Sequence, residues 1–274
     1  MSLREAGPGW LFCPADRPER FAKAAAAADV VILDLEDGVA AAEKPAARQA
    51  LRDTPLDPQR TVVRINAAGT DDQSRDLEAL ADTAYTTVML PKTESATEVD
   101  ALAPRDVIAL VETPRGALFA AEIAAAERTV GMMWGAEDLV ATLGGSSSRR
   151  SDGAYRDVAR HVRSQILLAA SAYGRLALDA VHLDIPDIEG LRAEAIDAAT
   201  VGFDVTVAIH PSQVAVVREA YRPDDEKLAW ARKVLHASRS ERGVFAFEGQ
   251  MVDSPVLRHA EAMLRRAGES IPDL

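Results

Sequence analysis

The 274 residues carry 31 lysines and arginines against 43 aspartates and glutamates, a formal charge of −12, with 48% hydrophobic and 27% charged residues. That length suffices for a large α/β domain with a buried core, and the acidic balance argues against a general binder of nucleic-acid backbones. The single cysteine, Cys13, excludes an internal disulfide or a Cys-rich zinc site, and in its apolar stretch it reads as a small buried hydrophobe rather than a nucleophile.

Short β-branched, apolar runs recur along the chain at Trp10–Phe12, Val30–Leu35, Thr61–Ile65, Thr87–Leu90, Val107–Val111, Val130–Trp134, Ala177–Leu183 and Val205–Ile209. Between most of them lie stretches of helical composition: Glu19–Ala28, Lys44–Arg52, Ser74–Ala81, Gly116–Ala126 and Tyr155–Tyr173. Several runs are apolar nearly throughout, as parallel strands covered on both faces are. Eight strand–helix units predict an α/β fold, a (β/α)8 TIM barrel with a C-terminal helical extension. The alternative is an open doubly wound sheet, which the absence of any glycine-rich phosphate loop disfavours. Beyond the eighth run, Ser212–Tyr221, Asp224–Ser238 and Ser254–Gly268 read as helices, with Glu241–Asp253 irregular. The expected division is a barrel over 1–222 and a lid or oligomerisation extension over 223–274. No run approaches the ~20 apolar residues of a membrane span, and no basic region precedes a long apolar core, so a soluble, cytoplasmic protein without membrane contacts is expected.

In a parallel barrel the C-terminal ends of the strands face the active-site mouth. Those ends read Asp34-Leu35-Glu36-Asp37-Gly38, Arg64-Ile65-Asn66, Pro91-Lys92, Glu112-Thr113, Gly135-Ala136-Glu137-Asp138 and His210-Pro211. Carboxylates crowded at one mouth repel unless neutralised, and a hard divalent cation held by Glu112 and Asp138, on adjacent strands, is the economical answer. Arg64 is either a structural ion pair or a fork for a substrate carboxylate or enolate oxygen. The turn at Gly135–Asp138 opens a helix whose N–H groups offer a second anion site. In the first loop, Asp16 and Glu19 form a capping-box-like start, and Arg17, Arg20 and Lys23, extended by Lys44 and Arg48, are either a phosphate-binding cluster or a solvated helix face. Gly144–Arg150 is by default mobile surface, with a lid or phosphate contact as the sharper reading. Lys92, at a strand end, leaves a Schiff base open. No hydrolase elbow, zincin motif or Cys/His zinc pattern is present.

The series Leu11-Phe12-Cys13-Pro14, Asp34-Leu35-Glu36-Asp37-Gly38-Val39, Arg64-Ile65-Asn66, Leu90-Pro91-Lys92, Glu112-Thr113 and Trp134-Gly135-Ala136-Glu137-Asp138-Leu139 resembles the citrate lyase β-subunit-like branch of the HpcH/HpaI aldolase superfamily. The segment Phe247–Pro255 resembles that branch's C-terminal signature, so the match runs from about Gly9 to Ala260. The resemblance implies a Mg2+-dependent barrel, a homotrimer or dimer of trimers, that cleaves or forms the carbon–carbon bond of a 3-hydroxyacyl-CoA thioester (citramalyl-, malyl- or citryl-CoA-like), giving an oxo acid and an acyl-CoA. Carried over residue by residue, Glu112 and Asp138 are the metal ligands, Arg64 contacts the carbonyl or enolate oxygen, and Glu36 and Asp37 orient metal-bound water or Arg64. Asp253 is the acid/base delivered by a neighbouring subunit. Phe12, Pro14, Arg17, Lys23, Glu112, Gly135 and Ala136 join Arg64 in holding the CoA thioester and oxo acid. The first loop departs from the family pattern at Cys13-Pro14-Ala15, and strand two lacks the histidine of the pyruvate aldolases, which favours the CoA lyases. The alternatives are a metal-dependent aldolase acting on free oxo or hydroxy acids and a non-catalytic barrel that binds CoA esters.

Overall fold

Eight short strands, each too apolar to stand alone, close on one another. The computed structural model describes residues 3–241 and 243–269. Strands β1 (Gly9–Pro14), β2 (Val30–Asp34), β3 (Thr61–Arg64), β4 (Thr87–Leu90), β5 (Asp106–Val111), β6 (Thr129–Trp134), β7 (Leu176–Asp179) and β8 (Val205–Ala208) pair in sequence and in parallel. β1 also pairs with β8, with Gly9 opposite Thr206. The sheet is therefore a closed (β/α)8 barrel, as the sequence predicts, and the open-sheet alternative falls. Every residue of β2 and β4 is buried, which is why these strands lack polar alternation.

The interior is filled by Trp10, Ile32, Val62, Met89, Ile108, Met133, Leu178 and Val207, among others. Each such side chain contributes roughly 1.5–3 kcal/mol by leaving water. Around it lie α1 (Phe21–Ala27), α2 (Lys44–Asp53), α3 (Asp71–Ala81), α4 (Ala96–Asp100), α5 (Pro114–Leu118), α6 (Ala120–Ala125), α7 (Ala136–Thr142), α8 (Asp157–Ala172), α9 (Ile188–Val201) and α10 (Pro211–Tyr221). Caps set several starts: Thr70, Ser95, Thr113 and Asp187 each accept a first-turn N–H.

Three local expectations are corrected. The run Gly116–Ala126 is not one helix: it breaks at Phe119, where the Ala117 carbonyl accepts from Gln165 Nε2 of α8. The seventh strand ends at Asp179 rather than Leu183, because the Asp179 carboxylate accepts from the Ala180 N–H and turns the chain. Asp16 does not cap a helix: the first turn after β1 has no side-chain cap, and Asp16 Oδ1 is buried without a hydrogen-bond partner.

The chain forms two compact units, Met1–Arg218 and Glu219–Leu274. In the second, α11 (Asp225–Ser238) and α12 (Ser254–Arg266) bury Leu228, Ala231, Val234, Leu235, Ala260 and Leu264 with Val252. The stretch expected to be irregular contains an antiparallel hairpin, β9 (Phe245–Phe247) with β10 (Gln250–Val252). Its turn residues, Glu248 and Gly249, have φ of 47° and 80°. Positive φ at both central positions is the backbone that matches the twist of a two-residue hairpin.

Candidate active site

Strand register assembles the site. Asp34 lies opposite Arg64 across β2 and β3, so the two side chains share one face at the mouth. Arg64 Nε donates to Asp34 Oδ1 at 2.7 Å and Nη2 donates to Oδ2 at 2.6 Å. Its Nη1 lies 3.0 Å from Glu36 Oε2, and its guanidinium carbon stands 4.7 Å from the centre of the Phe12 ring. Burial opposes the charge of Arg64, but the Asp34 hydrogen bonds and the charges of Asp34, Glu36 and Glu112 outweigh it and raise the pKa. Asp34 also accepts the N–H groups of Glu36 and Gly38, each at 2.9 Å. A Cβ at Gly38 would fall 2.3 Å from Asp34 Oδ2, so this loop requires glycine there.

The second half of the site comes from β4 to α7. Val111 pairs with Trp134, and the Gly135 N–H donates to the Val111 carbonyl at 3.1 Å, which sets Gly135 against Glu112. A Cβ on Gly135 would meet Glu112 Oε2 at 2.5 Å. Glu112 is buried and its pKa is pushed up to about 8, first by burial and then by the negative charge of Asp138, against the pull of Lys92. Asp138 sits in the first turn of α7, whose N-cap Gly135 leaves the first N–H groups without a side-chain cap. Lys92, at φ 52°, donates its backbone N–H to Glu112 Oε1 at 3.1 Å. Its ammonium bonds Glu36 Oε1 and lies 3.4 Å from Asp37 Oδ2, 3.6 Å from Asp138 Oδ1 and 3.9 Å from Glu112 Oε1. Burial works against that charge, yet Glu36, Glu112 and Asp138 raise its pKa, which leaves Lys92 charged and unsuited to a Schiff base. The Cys13 thiol, buried and pushed up to about 11, is likewise no nucleophile.

A cavity of about 170 Å³ opens here, lined by Phe12, Arg64, Glu112, Gly135, Ala136 and Asp138 together with Leu110, Met133, Trp134, Glu137, Arg149, Ala180, Val181 and Leu183. A wider cleft, about 620 Å³, is lined by residues such as Leu3, Pro58, Thr86, Asp106 and Arg175 at the opposite end of the strands. It holds none of the polar strand ends and no arrangement suited to catalysis.

Glu36 and Asp37 do not line the cavity: Glu36 pairs with Arg64, which does, and both carboxylates lie against Lys92 beside it; Pro14, Arg17 and Lys23 do not line it either. Arg17 and Arg20 are largely exposed beside Asp16 and Glu19, and Lys23 is exposed on α1. Arg48 does not extend that cluster: it is buried, with Nε 2.7 Å from Asp76 and Nη2 2.6 Å from Asp72. Lys44 bonds the side-chain carbonyl of Asn66. The Gly144–Arg150 segment is tied down rather than loose. Ser148 Oγ bonds Glu137, and Arg149 pairs with Glu194 while stacking 3.8 Å over Tyr155. In the second unit, Asp253 Oδ1 accepts the Val256 N–H at 3.3 Å and so caps α12.

With this geometry the chain matches the HpcH/HpaI aldolase/citrate lyase family over residues 9–211. It belongs to that family. A citrate lyase subunit beta-like protein of Mycobacterium tuberculosis is 84% identical over 98% of this chain and 99% of its own length. The human mitochondrial citramalyl-CoA lyase is 32% identical over 85% of this chain and 77% of its own. A crystal structure of M. tuberculosis CitE in complex with magnesium, acetoacetate and coenzyme A superposes with a TM-score of 0.94, at 85% identity, covering 97% of this chain and 100% of that one.

The donor set fits magnesium. Among the described residues no cluster of three or more His, Cys, Asp or Glu side chains forms a cage. Magnesium needs none, since it takes one or two carboxylates and keeps waters or substrate oxygens in its other positions. Glu112, driven towards protonation by burial and then by Asp138, is a carboxylate whose charged form a cation would restore. No helix among the described residues is long and apolar enough to cross a membrane. Two participants escaped notice in the sequence. Asp34 stood in the strand-two motif without a role and proves to be the anchor of Arg64. Asp179, at the end of β7, accepts from Trp134 Nε1 at 2.6 Å and from Arg163, fixing the wall behind the cavity.

Proposed function

We propose that this member of the family is a Mg2+-dependent lyase that cleaves, or in reverse forms, the carbon–carbon bond of a 3-hydroxyacyl-CoA thioester of the citramalyl, malyl or citryl type. The products are an oxo acid and an acyl-CoA. The observation that carries the reading is the facing of Glu112 and Asp138 with a twice-anchored Arg64 across one small cavity. When bound by Glu112 and Asp138, Mg2+ supplies Lewis-acid polarisation of the substrate's carboxylate and hydroxyl oxygens.

The chain's own residues supply the rest. In the cleavage direction the hydroxyl proton passes to water, the electron pair it leaves on oxygen forms the new carbonyl, and the carbon–carbon bond pair moves towards the thioester, leaving an enolate. Arg64 Nη1 lies 3.0 Å from Glu36 Oε2 and carries a second N–H, which donates to the developing enolate oxygen, while the paired Asp34 carboxylate holds the guanidinium in place before reaction. Glu36 and Asp37 hold Arg64 and Lys92 in position. Ala136 presents its backbone N–H to the oxo-acid carboxylate, Gly135, whose own N–H is spent on the Val111 carbonyl, lets that carboxylate approach the chain closely, and Phe12 supplies an apolar wall beneath Arg64. Asp253 protonates the enolate carbon from a neighbouring copy in a homotrimer or dimer of trimers, with one carboxylate oxygen left over from its capping bond. Arg17, Arg20 and Lys23, with Pro14 shaping the loop, meet the CoA phosphates. The working compartment in this reading is the cytoplasm.

A panel of hydroxyacyl-CoAs and the corresponding free hydroxy acids, assayed with Mg2+, tests the reading. Release of an oxo acid from the CoA esters alone supports it. Turnover of the free acids would instead indicate the aldolase alternative, and binding of CoA esters without turnover the non-catalytic one.

A further inference from the structure

Lys92 holds a position that no simple role explains. Its backbone is left-handed, a conformation disfavoured for any residue with a Cβ, yet the turn is pinned on the far side. The Thr93 N–H donates to the Leu110 carbonyl at 3.0 Å and Thr93 Oγ1 donates to the Leu90 carbonyl at 2.7 Å. The result is that one residue serves Glu112 twice, through its main-chain N–H and through its ammonium. That ammonium is within 4 Å of Glu36, Asp37, Glu112 and Asp138, spanning both halves of the mouth. The cations that line the cavity are engaged elsewhere, Arg64 with Asp34 and Glu36 and Arg149 with Glu194.

We propose that Lys92 is a tethered counter-cation: its ammonium stands among the carboxylates that take magnesium, and loading the metal exchanges one cation for the other. Two cations a few ångströms apart at a half-buried site repel strongly, so they do not share Glu112 and Asp138. On loading, the ammonium withdraws along its flexible stem to Glu36 and Asp37, to which it is already bonded. Lys92 is thus a positioning residue. It keeps the acidic mouth assembled before the metal arrives and lowers the site's affinity for the metal, so that the cation is exchangeable. The inference rests on the assignment of magnesium to Glu112 and Asp138.

The test measures Mg2+ affinity of the full chain by titration calorimetry and melting temperature with and without Mg2+, for wild type, Lys92→Met, Lys92→Gln and Lys92→Arg. Removing the competing charge in Lys92→Met should tighten Mg2+ binding by roughly tenfold or more. The same variant should melt lower without metal and gain more from Mg2+ than wild type does. Lys92→Gln should follow it, and decides the matter if Lys92→Met does not fold. Lys92→Arg, which keeps the charge, should stay near wild type. A merely structural lysine gives the opposite result, affinity unchanged or weakened in the uncharged variants, and that outcome overturns the proposal. Glu112→Gln separates the two layers. If it binds Mg2+ as wild type does, the metal assignment itself fails. If it loses Mg2+ while Lys92→Met binds no tighter, only the role given to Lys92 is wrong.

Discussion

Adding a single methyl group at Gly135 probes the metal assignment without substituting a charged residue. Gly135 has φ −122° and ψ 124°, a backbone any residue adopts, so Gly135→Ala introduces no dihedral strain. By restricting the unfolded chain it should even gain about 0.4–1 kcal/mol. The opposing term is the contact with Glu112, whose Oε2 would lie 2.5 Å and whose Cβ 2.8 Å from the new carbon. The carboxylate can swing away, but the Glu112 Cβ is fixed to the strand end that hydrogen-bonds Gly135 through Val111. Overpacking of this kind costs about 1–3 kcal/mol, so the net loss should be about 1 kcal/mol. That corresponds to a melting temperature lower by roughly 2–4 °C. The larger effect falls on Glu112, which must leave its position, and displacing such a group should weaken Mg2+ affinity by about 10- to 100-fold. Gly131→Ala is the control: its Cβ meets Leu176 and Leu178 at 3.2 Å within the barrel and touches no carboxylate. Calorimetry on both variants decides. A folded Gly135→Ala protein that binds Mg2+ as tightly as wild type would refute the placement of the metal at Glu112.

Asp34→Asn should lower stability by about 3–5 kcal/mol, because it leaves the Arg64 guanidinium buried with half its anchor gone, and urea unfolding measures this. Replacing Arg17, Arg20 and Lys23 by glutamine should raise the KM for CoA esters at unchanged kcat. Arg48→Met should leave that KM alone and destabilise the fold, since Arg48 is spent on Asp72 and Asp76. His182 Nδ1 lies 2.9 Å from Glu194 Oε2, with Asp187 3.3 Å from Nε2 and Arg149 also nearby; the Glu194 hydrogen bond raises its pKa. Its contribution to stability is therefore full below about pH 6.5 and is lost as pH rises through the folded value, so wild type and His182→Gln should converge at alkaline pH. Stability curves that stay a constant distance apart would contradict this. Finally, co-assembled Asp138→Ala and Asp253→Ala chains should regain activity if Asp253 serves a neighbour's barrel. Mixed oligomers that remain inactive would assign the whole site to one chain.

The barrel was legible because its signal is repetitive: eight apolar runs separated by helical composition leave little choice of architecture, and the mouth follows from where those runs end. The placing of Arg64 and Glu112 at the mouth was legible for the same reason, each standing at or just past the end of an apolar strand, and that of Asp138 from the turn of α7 that follows one. Pairing was less so. That Arg64 takes both Asp34 and Glu36 depends on the register of two strands some thirty residues apart, which composition does not encode. Arg48 and Lys23 look alike in sequence, yet one is buried against Asp76 and the other is exposed. The unusual backbones of Lys92 and Glu248 were hidden because neither residue type advertises positive φ. The Phe-x-Phe before Glu248-Gly249 was the available clue to the hairpin, once the turn is allowed a glutamate where asparagine or aspartate is usual.

The charge of the mouth joins these observations into one constraint. Five carboxylates, from Asp34, Glu36, Asp37, Glu112 and Asp138, face two cations, Arg64 and Lys92. Fully ionised, the group carries a formal charge of −3, and an anionic oxo acid would be repelled from it. Part of that charge is suppressed by the upward shift of Glu112, caused first by its burial and then by the charge of Asp138. Arg64 offsets another part, and it is fixed by two hydrogen bonds to Asp34 and by Glu36 beside Nη1, so its second Nη1 proton is a donor that need not reorient. The proposed enolate-forming reaction requires both features at once, negative groups dense enough to hold a metal and a positive donor rigid enough to meet developing charge. A barrel that merely bound CoA esters would need neither. The cost of keeping Glu112 and Asp138 at the cavity itself, with Asp34, Glu36 and Asp37 on the cations beside them, is therefore the strongest physical argument that the site performs chemistry.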